Sequence, residues 1–393
     1  MNLEDDVLLS ARVLLQNSQP TAALELLGPK LRENEHNVDF LQTFGEVLLE
    51  NNEMEEAYNI LMKACEMDME AERGSEKFFN LGQIIGGEDG LKLLDVGLNR
   101  LQQQLKLAQR DMIQQDSLLV DMPKNYAAKE LLLKHLIKKI NQGIFAKIEI
   151  WMTDLCMELE AESQCDSLIE NSISLDSRNP EAFSLLASIR ISQQRTFEAK
   201  EALEKSWDLF QHKKTALEET VSKHQEDEMN EELLESSMEY GELIQALLNL
   251  SRLAIELELY ELVSSVTSRI QDMNENILEC YYYGALASLL QAKKLFTILI
   301  PKIADYREVS NASLKSSSDQ EIQALIHEAK VSLTIGYKII NSESIDADTD
   351  LIEQMSDLLD EFGGPVMSEL MPQKINETEE AALENELNLL EDV

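Results

Sequence analysis

The 393-residue chain is short of positive charge, glycine, proline, cysteine and long apolar runs, and each shortage excludes something. Lys and Arg number 34 against 74 Asp and Glu, a formal net charge of −40. Phosphates repel so acidic a chain, which disfavours direct binding of nucleic acid or of an anionic membrane and favours a strongly basic partner. Only 14 Gly and 7 Pro occur. Sheet proteins with many tight turns need more of both, so the composition points to helices. The four cysteines, Cys65, Cys156, Cys165 and Cys280, have no metal-ligand spacing and read as free thiols in a reducing compartment. No apolar run approaches the roughly 18 residues that span a bilayer. The opening MNLEDDVLLS is acidic where a secretory signal is basic. Together these absences read as a cytosolic or nuclear chain.

Catalytic patterns are also missing. None of the five histidines, His36, His135, His212, His224 and His327, has a partner histidine one helical turn away with a Glu between. The chain has no dinucleotide fingerprint, phosphate loop or nucleophile elbow. The run Gly86-Gly87-Glu88-Asp89-Gly90 precedes a helix, but its two acids would repel phosphate, and a turn between helices explains its glycines. Paired carboxylates are too common in this chain to mark acid–base chemistry. The expectation is a protein that is not an enzyme and holds no metal and no cofactor.

What is present is a repeat. Ala23 and Ala57 stand 34 residues apart, and Val7 with Leu41, Ala11 with Gly45, Leu14 with Leu48 and Leu27 with Leu61 keep the same step. A period of about 34 is that of a tetratricopeptide (TPR) helical hairpin. The small residues let the two helices of a hairpin approach closely. A third unit places Leu81-Gly82 where the second has Phe44-Gly45. A long second helix follows from near Gly90, with apolar residues at Leu94, Leu98, Leu101 and Leu105, and Pro123 ends this stretch. Residues 100–151 hold 9 bases and 5 acids, the one clearly positive stretch, and a helix over Tyr126 to Ile140 is expected to brace the array. The repeat resumes with Trp151, Leu155, Cys165, Ile169 and Ile173, then with Pro180 to Leu203, where Cys165 and Ala199 are again 34 apart. Weaker helical pairs cover Leu243 to Ile270 and Leu278 to Tyr306, a Ser-rich stretch from Val309 to Asp319 reads as a mobile loop, and a helix spans Gln320 to Ile340. Residues 343–393 carry 16 acids and one base, Lys374.

The expected architecture is all-α, a TPR-like right-handed superhelix of antiparallel helix pairs. Residues 1–341 form the array, with extended helices over 90–145 and a linker over 211–232. Residues 342–393 form an acidic, largely disordered tail in which Leu351 to Phe362 and Ala381 to Leu390 have amphipathic helical patterns. The first helix of each hairpin lines the concave face. Projected onto the chain, that face offers Asp39, Glu46, Glu50, Glu76, Phe79, Asp154, Glu158 and Glu181, acids with apolar residues between them. This is a groove for an extended basic peptide. Clamping a C-terminal carboxylate needs Lys, Arg and Asn there, whereas the corresponding places hold Leu8, Arg12, Thr43 and Glu46, of which only Arg12 is suited.

Two blocks, GSEKFFNLGQIIGGEDG (Gly74 to Gly90) and EIWMTDLCMELEAESQC (Glu149 to Cys165), are demanded by no generic repeat. They resemble a fungal TPR family of dedicated assembly chaperones of the fourth large-subunit ribosomal protein. The similarity runs from about Val7 to Phe210 and includes an acidic C-terminal end. The resemblance implies a chaperone that captures this basic ribosomal protein, shields its long basic internal loop and accompanies it from cytoplasm to nuclear pre-ribosomes. The chain is expected to act as a monomer, and its charge argues against direct contact with nucleic acid or membrane. A chaperone of another basic client such as histones, and a structural adaptor in a larger complex, are the alternatives.

Overall fold

The computed structural model describes residues 3–16, 19–121, 129–223, 231–300, 305–342 and 348–370. Among these residues every regular element is a helix. The chain divides into two compact units, Met1–Leu243 and Ile244–Val393.

The first unit is a series of antiparallel hairpins: α1 (Leu3–Gln16) with α2 (Pro20–Leu27), α3 (Val38–Glu50) with α4 (Met54–Met67), and α5 (Glu76–Ile85) with α6 (Gly87–Gln109). After the short α7 (Ser117–Asp121) come α8 (Lys129–Met152) with α9 (Ala161–Leu175), and α10 (Pro180–Ser192) with α11 (Thr196–Lys223). The helix starts follow local chemistry. The Asn37 side chain accepts the backbone N–H groups of Asp39 and Phe40, and Asn179 accepts that of Glu181 ahead of Pro180. Three hairpins reverse through a left-handed residue: Asn52 at φ 60°, Gly86 at φ 65° and Gln194 at φ 59°.

The 34-residue register is the packing register. Ala11, Ala23 and Ala57 are fully buried. A methyl group on Gly45 would fall 2.5 Å from Leu61 Cδ2, and one on Gly90 would fall 2.3 Å from the Gly82 carbonyl oxygen. These pairs therefore fix how closely α3 meets α4 and α5 meets α6. Below the third hairpin, Lys77 is fully buried. Its ammonium lies 2.7 Å from Asp68 Oδ2 and donates to the Gly74 carbonyl, while Asp68 also accepts the N–H groups of Glu72 and Arg73. A charge taken from water this completely is stabilising only when fully partnered, which it is here.

Four expectations change. The bracing helix expected over Tyr126 to Ile140 is, from Lys129 on, part of α8, which runs unbroken to Met152 and is itself the first helix of the fourth hairpin; residues 126–128 lie outside the described residues. Leu132, Leu136, Ile140, Ile144 and Ile148 recur at four-residue spacing and are all buried, so no break separates 140 from 151. The stretch over 211–232, expected as an extended helix or a linker, is helical to Lys223, because Phe210, Lys214 and Leu217 continue the buried stripe of α11; residues 224–230 lie outside the described residues. Helix α12 (Glu231–Glu256) follows.

The second unit contains α13 (Tyr260–Met273), α14 (Leu278–Leu299), α15 (Asn311–Lys315), α16 (Gln320–Ile340), α17 (Thr349–Glu361) and α18 (Met367–Leu370). The stretch Val309 to Asp319 is structured: Ser310 caps α15, Asp319 caps α16, and Val309 and Leu314 are buried. The fourth change concerns the acidic tail. Helix α17 packs on α16 and buries Met355, Leu359 and Phe362, and a Cβ on Gly336 would collide with Met355. An array ending at residue 341 would omit these contacts. The second Leu-rich piece, Ala381 to Leu390, lies outside the described residues.

Candidate functional site

Residues three, four and seven apart share one face of a helix. On α3 this places Asp39, Gln42, Glu46 and Glu50 together, and neighbouring helices extend the face. Gln42 is buried and its Nε2 donates to Glu76 Oε2 of α5 at 3.4 Å. Lys139 of α8 lies 3.2 Å from Glu76 Oε1. Arg12 of α1 donates to Thr43 of α3 at 3.3 Å, and Gln83 of α5 donates to Glu149 of α8 at 3.4 Å. Four helices thus contribute to one polar junction centred on two carboxyl groups.

Those two carboxyls behave oppositely. Burial pushes Glu46 up to about 7, and the nearby Glu76 adds to the rise, while Arg12, Lys139 and a hydrogen bond from Gln42 only partly oppose it. Burial would raise Glu76 as well. There it is outweighed by the Lys139 ammonium, by the backbone N–H of Glu76 and by His135, so Glu76 falls to about 2. At neutral pH the junction holds one fixed anion and one carboxyl near half-ionisation.

The remaining expected residues scatter. Asp39 is half-buried and 3.8 Å from Arg73. Glu50 is exposed at the end of α3, and Glu181 is exposed at the start of α10, 3.8 Å from Lys213. Phe79 is not on an open face: it is 7% exposed, and its ring fills the space left by Gly97 of α6 and Gly143 of α8. Asp154 and Glu158 do not sit on an inner helix, because α8 ends at Met152 and both belong to the turn before α9. Asp154 has a structural task there, since its Oδ2 accepts the N–H of Gly87 at 2.8 Å and caps α6. Sequence reading missed Lys139 and His135 as partners of the acids. Their signal was the one positive stretch of the chain, which was assigned to bracing alone.

The buried cysteines carry no site chemistry. Burial pushes Cys65 and Cys280 up to about 12 and Cys165 up to about 11, which keeps them as thiols. Among the described residues no cluster of His, Cys, Asp and Glu has metal-binding geometry, and no helix is long and apolar enough to cross a membrane.

Comparison with known proteins adds to this geometry. Residues 276–383 match the family described as ACL4 C-terminal domain. Over its whole length the chain is 27% identical to a probable assembly chaperone of rpl4 from Schizosaccharomyces pombe, also covered completely. A second probable assembly chaperone of rpl4, from Emericella nidulans, is 29% identical over 51% of this chain and 48% of its own. A solved structure of an assembly chaperone of RpL4 (Acl4), residues 1–338, covers 76% of this chain and 100% of that one at 23% identity, with a TM-score of 0.54. That likeness supports the all-α, TPR-type hairpin fold.

Proposed function

We infer that this chain, similar end to end to assembly chaperones of rpl4 and matching the ACL4 C-terminal domain over residues 276–383, is itself a dedicated assembly chaperone of the fourth large-subunit ribosomal protein. The resemblance carried by Gly74 to Gly90 and Glu149 to Cys165 agrees with the whole-length similarity. The structural observation that bears most on the reading is the junction of Glu46 and Glu76. Two carboxyls on successive first helices, one kept ionised and one poised to ionise, suit a Lys or Arg of an extended basic segment.

The physical logic of the role is competition. An unassembled ribosomal protein is basic and sticks to RNA and to itself. An acidic helical face occupies the same basic segment, screens self-association and yields to rRNA, whose charge is denser. The chaperone needs no catalysis and no contact of its own with nucleic acid, works as a monomer, and acts in cytoplasm and nucleus. Affinity capture of the full chain followed by mass spectrometry tests the reading. One stoichiometric ribosomal protein of the large subunit is expected. Recovery of histones, or of several non-basic subunits, would replace it.

A further inference from the structure

Between α8 and α9 the chain makes a wide turn, Thr153 to Glu160, held at both ends. The Asp154 carboxylate takes the Gly87 N–H at 2.8 Å, the Thr153 hydroxyl donates to the Glu149 carbonyl at 2.8 Å, and the Ser163 hydroxyl donates to the Glu160 carbonyl at 2.9 Å. Inside it, the N–H of Glu158 reaches the Leu155 carbonyl at 3.0 Å and the N–H of Ala161 reaches the Glu158 carbonyl at 3.1 Å. On this anchored turn Met157 is 91% exposed and Leu159 is 96% exposed. The turn therefore holds two large apolar side chains out in water, each beside an acid: Glu158 lies between them, and Glu160 and Glu162 follow.

Alternation of helix direction puts the other first-to-second-helix turns at the same end of the hairpins. The contact of Asp154 with the α5–α6 turn fixes that placement for the third and fourth hairpins. The same end exposes Phe197 (74%) at the start of α11 and Met54 (52%) at the start of α4. Large apolar groups held in water on an anchored turn mark a docking edge rather than random surface. Charge selects the occupant. A second copy of a chain of net charge −40 is repelled, and so is the chain's own end, whose residues 343–393 hold 16 acids and one base. An anionic lipid surface is repelled for the same reason. A basic segment with apolar side chains interspersed satisfies both halves of the pattern.

We propose that the Thr153–Glu160 turn is a second docking point for the basic client, with Met157 and Leu159 as its apolar anchors. This rests on the chaperone reading above and adds a place on the edge of the hairpins, apart from the Glu46–Glu76 junction. Apolar anchors act differently from acids. Their contribution survives salt, whereas exposed charge pairs are screened within about 10 Å at 0.1 M.

The test uses the full chain and the purified fourth large-subunit ribosomal protein. Met157→Ser with Leu159→Ser should weaken binding about tenfold or more, since burying one such side chain is worth roughly that factor, and the loss should be as large at 0.5 M salt as at 0.1 M. Both side chains are exposed, so the fold is not at stake, and an unchanged melting temperature checks this. The control is Met67→Ser with Met69→Ser, exposed methionines at the opposite end of the hairpins, expected to leave binding unchanged. If the first double variant binds like wild type, or if both variants weaken binding equally, the turn is not a docking point. A photo-crosslinking residue at position 159 should capture the client; capture of a second copy or of the chain's own C-terminal end overturns the proposal. If the wild-type chain does not bind this ribosomal protein at all, the chaperone reading itself fails, a result distinct from the others.

Discussion

Replacing Glu46 by Gln isolates the electrostatic cost stored at the junction. In the folded chain the Glu46 carboxyl titrates at about 7 rather than at the ordinary 4.5. Between those two values the folded state keeps a proton that the unfolded chain releases, so stability falls as pH rises through this window. At 1.36 kcal/mol per pH unit the displacement corresponds to about 3.4 kcal/mol. Water reaching the half-buried side chain lowers this to roughly 1–2 kcal/mol. Gln keeps the shape and cannot ionise. The variant should therefore match wild type near pH 5 and exceed it by roughly 1–2 kcal/mol at pH 8. Glu76 works in the opposite sense, since its depressed titration adds stability above pH 4.5 that is lost as pH falls toward 2, and it is common to both proteins. Urea unfolding of both proteins followed by circular dichroism from pH 5 to pH 8 reads the difference. A constant gap across the range, or a variant less stable at pH 8, would refute the proposed cost. The same variant should bind the basic client more weakly despite its greater stability, because the second anion can no longer form.

Other substitutions probe the frame. Ala57→Asp buries a charge without a partner between α3 and α4 and should cost several kcal/mol; a melting temperature within about 2 °C of wild type would show the repeat register to be misplaced. Lys77→Met leaves the Asp68 carboxylate buried without its cation and should cost about 3–5 kcal/mol, whereas Lys63→Met, which removes an exposed partner of Glu35 at 3.5 Å, should cost under about 1 kcal/mol; equal losses in chemical denaturation would contradict this ranking. Truncation after Asn341 strips α17 from α16 and should lower the stability of the second unit, seen as an earlier or broader thermal transition. An unchanged transition would mean that Met355, Leu359 and Phe362 contribute little.

The repeat was legible because it depends on size at fixed spacing. Ala11, Ala23, Gly45 and Ala57 have to be small for two helices to touch, and that requirement is written every 34 residues. Helix α8 was misread because its apolar spacing continues past Ile140 without a breaker, while the expected hairpin was counted from Trp151. The site was legible only in part. Periodicity says that Glu76 and Phe79 share a face of α5, yet it cannot say that α6 and α8 both present a glycine to Phe79 and cover it. Spacing also placed Asp154 and Glu158 one turn apart on a helix that ends two residues before the first of them. The amphipathic pattern of Leu351 to Phe362 was legible in the acidic tail, but its docking was not: three apolar residues one or two turns apart, Met355, Leu359 and Phe362, fold α17 onto α16 despite five acids in that helix.

On the proposed function, this chain holds the fourth large-subunit ribosomal protein through that protein's basic internal loop. The most direct measurement is isothermal titration of the purified full chain with the intact ribosomal protein and with a form lacking only the loop. A one-to-one complex is expected with the intact protein, with a loss of affinity of at least two orders of magnitude without the loop, a loss that charge reversal at Glu46 and Glu76 reproduces with the intact protein. Equal affinity for both forms, with charge reversal of no effect, would contradict it.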